Sequence, residues 1–201
     1  VMAIAIYSTN INSTLKNLGS KSKYDPQKDS IQNPELGQKI SNAPIDVIAR
    51  QWNWEFVYPE GFSSSELHLP INNKINFRLI SKDVLHGFYI PAFRLKQDII
   101  PGSIIEYSLT PTRAGVYRLR DSMFSGTYFS ENQTNVIVES KDSYQNWINK
   151  TVKKVPVSGL NQAGILYKKR LEKGDKGWAT VPPKSSPMVN EPGDYQQPHE
   201  G

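Results

Sequence analysis

The chain has 201 residues, 37% of them apolar and 21% charged, with a net charge of +5, 14 prolines and 13 glycines. Such a length suffices for one ordinary domain with a sizeable core, and the frequent Pro and Gly favour short β-segments over a helical bundle. Cysteine is absent, which excludes disulfides, thiolate metal sites and cysteine nucleophiles; the lysines are spread out or grouped near the C-terminus with few interleaved aromatics, which argues against nucleic acid as a partner.

The first segment, "VMAIAIY", is uncharged but far shorter than the roughly 20 residues a bilayer span needs, and it lacks the basic start and cleavage site of a signal peptide. By itself it reads equally as an expression scar, a first strand or the end of a truncated membrane helix. A polar connector rich in Asn, Ser and Lys follows to about residue 41. The density of β-branched and aromatic residues then rises. "PIDVIARQWNWEFVYPEG" alternates at Trp52, Trp54 and Phe56. "SELHLPINNKINFRLIS" gives two strands about a Pro-Ile-Asn-Asn turn, with Ile75, Phe77 and Leu79 on one face. "HGFYIPAF", "DIIPGSIIEYSLTPTRAGVYRLR" and "TNVIVES" continue the series, with Pro-Gly and Ala-Gly turns between strands. Short strands at regular spacing predict an all-β sandwich or barrel over residues 42–150.

In "SKDSYQNWINK" the period changes. Tyr144, Trp147 and Ile148 fall at i, i+3 and i+4 behind a capping serine, which predicts a short helix packed back on the sheets. Residues 151–201 form a basic, Pro-rich stretch of low apolar content, expected to be extended or disordered. No nucleophile–base pair and no phosphate loop stands out, so the chain by itself is expected to be non-catalytic. Its three histidines are His68 in mid-strand, His86 at a strand start and His199 in the tail.

The segments "VIARQWNWEFVYPEG", "ELHLPINNKINFRLISKDVLHGFYIPAFRLKQDIIPG" and "GVYRL" occur in the order and spacing of a known family. Over residues 44 to 150 the chain resembles the soluble domain of subunit II of haem-copper terminal oxidases, the cytochrome c oxidase type. The resemblance implies a cupredoxin-like Greek-key β-barrel on the periplasmic or thylakoid-lumenal side of a membrane, with subunit I as partner. It also implies two membrane helices before the domain, "VMAIAIY" being the end of the second. In that family the barrel holds the binuclear copper centre CuA, bound by one histidine after "DVL" and by a loop of pattern C-S-E-x-C-G-x-x-H-x-x-M. Bridging thiolates suit this centre because soft sulfur binds copper and shares its electron density.

Laid on "DSMFSGTYFSEN", the pattern puts Asp121 and Ser125 at the cysteine positions, Met123 at the glutamate, Phe129 at the histidine and Asn132 at the methionine. Among the copper-ligand positions only His86 keeps the family's identity; Gly126 and Ser122 match at positions that are not ligands. The resemblance therefore implies a domain without CuA and with no cofactor of its own, haem and copper lying in subunit I. A lone copper at His86 is the weaker alternative to a loop-packed histidine, and Asp121 beside His86 offers a hydrogen-bonded pair in place of the metal. The aromatic rings of Phe124, Tyr128 and Phe129 are expected to add buried apolar surface where ligands stood. Trp52 matches the family tryptophan that passes electrons from cytochrome c to CuA; without copper its expected role is packing, in the core or at a subunit interface. Arg94, Lys96 and Asp98 match a segment that faces subunit I.

Subunit II of quinol oxidases also lacks CuA, and the wording here is most similar to the cyanobacterial alternative respiratory terminal oxidase. The expected function is thus a non-redox part of a quinol-oxidising complex. The alternatives are a cytochrome c oxidase subunit with an unusual electron entry and a free-standing sandwich module unrelated to respiration.

Overall fold

A computed structural model describes residues 43–174 and 180–194; the expectations for residues 1–41 and for His199 lie outside the described residues. Ten strands build the barrel: β1 (Ile45–Arg50), β2 (Asn53–Val57), β3 (Ser63–Ser64), β4 (Leu67–Pro70), β5 (Ile75–Ser81), β6 (His86–Ile90), β7 (Leu95–Ile99), β8 (Ile104–Leu109), β9 (Gly115–Asp121) and β10 (Gln133–Glu139). They form two five-stranded sheets of order β3-β2-β1-β5-β8 and β4-β10-β9-β6-β7. Both sheets are mixed, with β1 parallel to β5 and β4 parallel to β10, as crossing connections between two layers require. The Pro-Ile-Asn-Asn turn is one such crossing: it carries the chain from the second sheet into the first instead of closing a hairpin. Asn72 turns left-handed there with φ 58°, a conformation Asn tolerates better than most residues.

Of the alternation read from the sequence, Trp54, Phe56, Phe77 and Leu79 fill the space between the sheets. Trp52 instead lies in the turn before β2 and packs in a separate small core. Ile45, Val47 and Ala49 of β1 point inward, as do Phe77 and Leu79 of β5. They meet Phe88, Ile90, Leu119 and Val136 from the second sheet in one buried core. Fully burying an aliphatic or aromatic side chain of this kind stabilises the fold by about 1.5–3 kcal/mol. Among the described residues the architecture is all-β and cupredoxin-like, with two short α-helices.

The predicted helix is α1 (Lys141–Thr151), with the Ser140 hydroxyl accepting the Ser143 N–H at its N-terminus. Ile148 is buried, while Trp147 stacks on His68 at 3.9 Å and meets Tyr58 and Phe62 edge-on. His68 also pairs with Glu139 at 2.9 Å. This histidine is part of the seam between α1 and the barrel.

The C-terminal stretch differs from the expected extended tail. It contains a second helix, α2 (Gln162–Glu172), flanked by a two-stranded ribbon of β11 (Val157–Ser158) and β12 (Met188–Val189). The Asn161 side chain caps α2 by accepting the Gly164 N–H at 2.8 Å. Backbone bonds then tie the segment to the barrel: Lys184 N–H to the Gln51 carbonyl at 2.6 Å and Ser65 N–H to the Glu191 carbonyl at 2.9 Å. Low apolar content hid this helix because only Ala163 on it is fully buried. Among the described residues no helix is long and apolar enough to cross a membrane.

Candidate functional site

His86 opens β6 and lies at 0% exposure inside one end of the barrel. Both of its ring nitrogens face a carboxylate. Nδ1 is 2.6 Å from Asp121 Oδ2, and Nε2 is 2.8 Å from Asp83 Oδ1. Asp83 is set by the turn after β5: its Oδ1 accepts the Val84 N–H at 2.8 Å and its Oδ2 accepts the Gln51 N–H at 2.9 Å. Asp121 ends β9, where its inward side chain gathers five donors. Gly87 N–H and Met123 N–H bond to Oδ1, while His86, the Ser125 hydroxyl and the Asn132 amide bond to Oδ2, over 2.6–3.1 Å.

The loop between β9 and β10 is in turn pinned from the Gln51–Trp54 stretch. Gln51 Nε2 donates to the Ser125 carbonyl at 2.6 Å, Trp52 Nε1 to the Ser125 hydroxyl at 3.0 Å, and Trp54 Nε1 to the Asn132 carbonyl at 3.0 Å. Gly126 crosses over the Trp52 ring with φ +123°, and a Cβ there would stand 2.7 Å from the indole. Glycine is required on both counts. The Trp52 ring packs with Tyr128 and Ala163 in a small second core, with Tyr167 of α2 against it.

Burial alone would lower the basicity of His86, but hydrogen bonds to Asp121 and Asp83 and their charges outweigh it and hold the imidazole proton up to about 9. Burial would likewise raise Asp121 and Asp83; their bonds to His86 and to backbone N–H groups win, and both carboxyls lie below the ordinary carboxylate range. At neutral pH the unit is therefore carboxylate–imidazolium–carboxylate. The raised histidine contributes stability that is complete below pH 6.5 and lost as pH rises through about 9. The lowered carboxyls contribute stability present above their ordinary pKa and lost as the pH falls through their folded values. A shift from 6.5 to about 9 corresponds to about 3 kcal/mol. The expected outcome is a stability plateau on the acid side of pH 6.5, and imidazole nitrogen NMR should show His86 doubly protonated at pH 7.5. A neutral His86 tautomer at that pH would contradict this electrostatic account.

The structure brings His86, Asp121, Ser125 and Asn132 together. Met123 joins them through its backbone N–H, and its side chain is half-buried. Phe129 is half-buried, its ring 5.3 Å from Phe124. Tyr128 is buried as expected, but Phe124 is 80% exposed and adds no core, because it sits at the tip of the loop. Trp52 is 1% exposed beneath the chain's own α2, so it packs internally and presents no face to another subunit. Arg94, Lys96 and Asp98 are exposed on and beside β7, the edge of the second sheet. Sequence reasoning alone does not find Asp83; its signal is the D-x-x-H spacing in "DVLH".

A binuclear copper centre does not fit these donors. It needs thiolates, which the chain lacks, and free imidazole nitrogens, whereas both His86 nitrogens are engaged by carboxylates. Among the described residues no group of three or more His, Cys, Asp and Glu side chains is arranged to hold a metal ion.

Residues 63–141 match the family model described as cytochrome c oxidase subunit II, periplasmic domain. Cytochrome c oxidase subunit 2 of Thermostichus vulcanus is 35% identical over 115 residues, 57% of this chain and 35% of that protein. Cytochrome bo(3) ubiquinol oxidase subunit 2 of Buchnera aphidicola subsp. Schizaphis graminum is 32% identical over 129 residues, 63% of this chain and 42% of that protein. The chain thus spans less than half the length of these two curated relatives. The crystal structure of the periplasmic domain of cytochrome oxidase subunit II of Bradyrhizobium japonicum superposes with a TM-score of 0.51 at 23% identity, covering 53% of this chain and 91% of that one, which shows the shared fold. The reading as a sandwich module unrelated to this family is set aside. Over residues 63–141 by sequence, and over the barrel by fold, this chain is similar to the periplasmic domains of cytochrome c oxidase subunit II.

Proposed function

We propose that the chain is the outer-face domain of subunit II of a membrane haem-copper terminal oxidase that draws electrons from a quinol, and that the domain is a metal-free structural part of the complex. The observation that carries this reading is the engagement of His86 on both sides by Asp83 and Asp121. In the resemblance this histidine is a CuA ligand, and Asp121, Met123, Ser125, Phe129 and Asn132 stand at the other vacated positions. The side chains of three of those five, Asp121, Ser125 and Asn132, bond to one another through the Asp121 carboxylate, which also accepts the Met123 N–H. A hydrogen-bonded unit thus occupies the place of a metal-bonded one.

Trp52 supports the same donor. At its family position the indole relays electrons from cytochrome c; here it is buried under α2 and its N–H is spent on Ser125. An electron donor that bypasses the domain, such as a membrane quinol, is consistent with both features. The haem and copper of oxygen reduction would then lie in subunit I, with Arg94, Lys96 and Asp98 as contacts toward it. The cyanobacterial alternative type of oxidase is the subgroup this reading favours.

Copper loading, desalting and metal analysis test the metal-free part. Far less than one copper per chain should be retained, and a chelator should leave the melting temperature unchanged. Two retained coppers with a mixed-valence signal would overturn the reading. In the intact oxidase, turnover should proceed with a quinol and without cytochrome c.

A further inference from the structure

We propose that the cleft between the Gln51 turn and the C-terminal segment is a binding site for a small oxyanion of the phosphate class. Arg50, Lys82, Asp83, Lys184, Ser185, Ser186 and Pro187 line this open cleft of about 320 Å³. The three cations come from separate parts of the chain: the end of β1, the turn after β5 and the segment before β12. They meet only because that last segment folds across the Gln51 turn.

The walls are held before any ligand arrives. Lys184 N–H donates to the Gln51 carbonyl at 2.6 Å, Asn161 Nδ2 to the Lys184 carbonyl at 2.7 Å, and Asn53 Nδ2 to the Ser185 carbonyl at 3.3 Å. Arg50 is oriented by Glu55 at 2.8 Å and keeps further N–H groups to offer. The acid in the cleft does not cancel these charges. Asp83 Oδ1 is taken by Val84 N–H and His86 and its Oδ2 by Gln51 N–H, so neither oxygen is spent on a lysine or arginine of the cleft. Lys82 and Lys184 have no acidic partner among the described residues, and the hydroxyls of Ser185 and Ser186 stand beside them. Two ammonium groups, a guanidinium and two hydroxyls in one cleft suit a ligand with several acceptor oxygens and negative charge. The site is independent of the identity of the electron donor.

Inorganic phosphate is the direct probe. In the ¹⁵N-labelled chain at constant ionic strength, phosphate should shift the amides of Lys82, Asp83 and Lys184–Ser186 saturably, with chloride giving no such response. The double variant Lys82→Ser/Lys184→Ser, both exposed positions, should bind at least tenfold more weakly while its other amide shifts stay in place. The same chemistry is offered by a lipid headgroup. A second arm therefore compares vesicles of phosphatidylglycerol with vesicles of phosphatidylcholine, monitored at the same amides. Saturation by free phosphate assigns a soluble anion, and a response to anionic vesicles alone assigns the headgroup. Shifts that follow ionic strength only, or that persist in the double variant, would overturn the site.

Discussion

Replacing Asp121 by Ala is expected to destabilise the domain by about 3–5 kcal/mol, the cost of removing one partner from a buried ion pair. The loss is large because the carboxylate serves five donors at once, and the substitution leaves all of them without it in the interior. Ser125 and Asn132 would lose their anchor to β9, and with them the loop that carries Gly126 over Trp52. His86 would keep only Asp83, so its proton should come off at lower pH. The alkaline decline in stability, which begins near pH 6.5 in both chains, should then be smaller and end at lower pH than in the parent chain. A second variant, Asp121→Asn, keeps the shape and one acceptor oxygen but not the charge, and should fall between the two. Urea unfolding at pH 6 and pH 8.5 reads both effects. In a double-mutant cycle with His86→Gln, the coupling should exceed the roughly 0.5 kcal/mol within which independent sites add. Additive losses would mean that the two residues support the fold separately.

Much of the barrel was legible because several of its strands alternate. Phe77 and Leu79 announce a one-sided strand whatever the partner sheet turns out to be. Pairing was not legible. The two strands about Asn72 look like a hairpin in one dimension, yet they belong to different sheets. The C-terminal helix was hidden for a different reason. Its Ile165 and Leu171 are exposed, while the contacts that hold it are a buried alanine, a half-buried tyrosine and backbone bonds, none of which produces an apolar period.

The site was half legible. His86 beside Asp121 followed from the family spacing, because one position starts β6 and the other ends its neighbour β9. Asp83 did not follow, since a carboxylate three residues before a histidine on a polar turn reads as solvated charge. Only the fold turns it inward, by giving it the Gln51 and Val84 N–H groups to accept. The Trp52–Ser125 bond was equally invisible, because its partners are 73 positions apart.

If the loop has lost its ligands but not its geometry, the variant Asp121→Cys/Met123→Glu/Ser125→Cys/Phe129→His/Asn132→Met should bind two coppers, and the parent chain far less than one. No residue needs to be inserted or removed between positions 121 and 132 to match the family pattern. The structure adds three reasons. Asp121 reaches His86 on Nδ1 at 2.6 Å, so a thiolate rooted at the end of β9 would bring a metal to the same nitrogen. Asp83 would stay on Nε2, the arrangement in which a carboxylate orients a metal-bound imidazole and raises its basicity. Phe124 points into solvent and does not obstruct the space. Two obstacles oppose these. Removing Asp121 and Ser125 takes away the bonds that shape the loop, and Tyr128 stays wedged edge-on against Trp52 at 5.3 Å. Soft thiolates bind copper strongly enough to offset part of that loss, so the variant should be less stable than the parent without copper and recover on loading. Absorption and electron paramagnetic resonance spectra separate the outcomes: a purple, mixed-valence product means the loop retains the copper geometry. Mononuclear copper, or none, would show that the bonds among Asp121, Ser125 and Asn132 have moved the backbone away from it, and that the correspondence of positions 121–132 to the family loop is wrong.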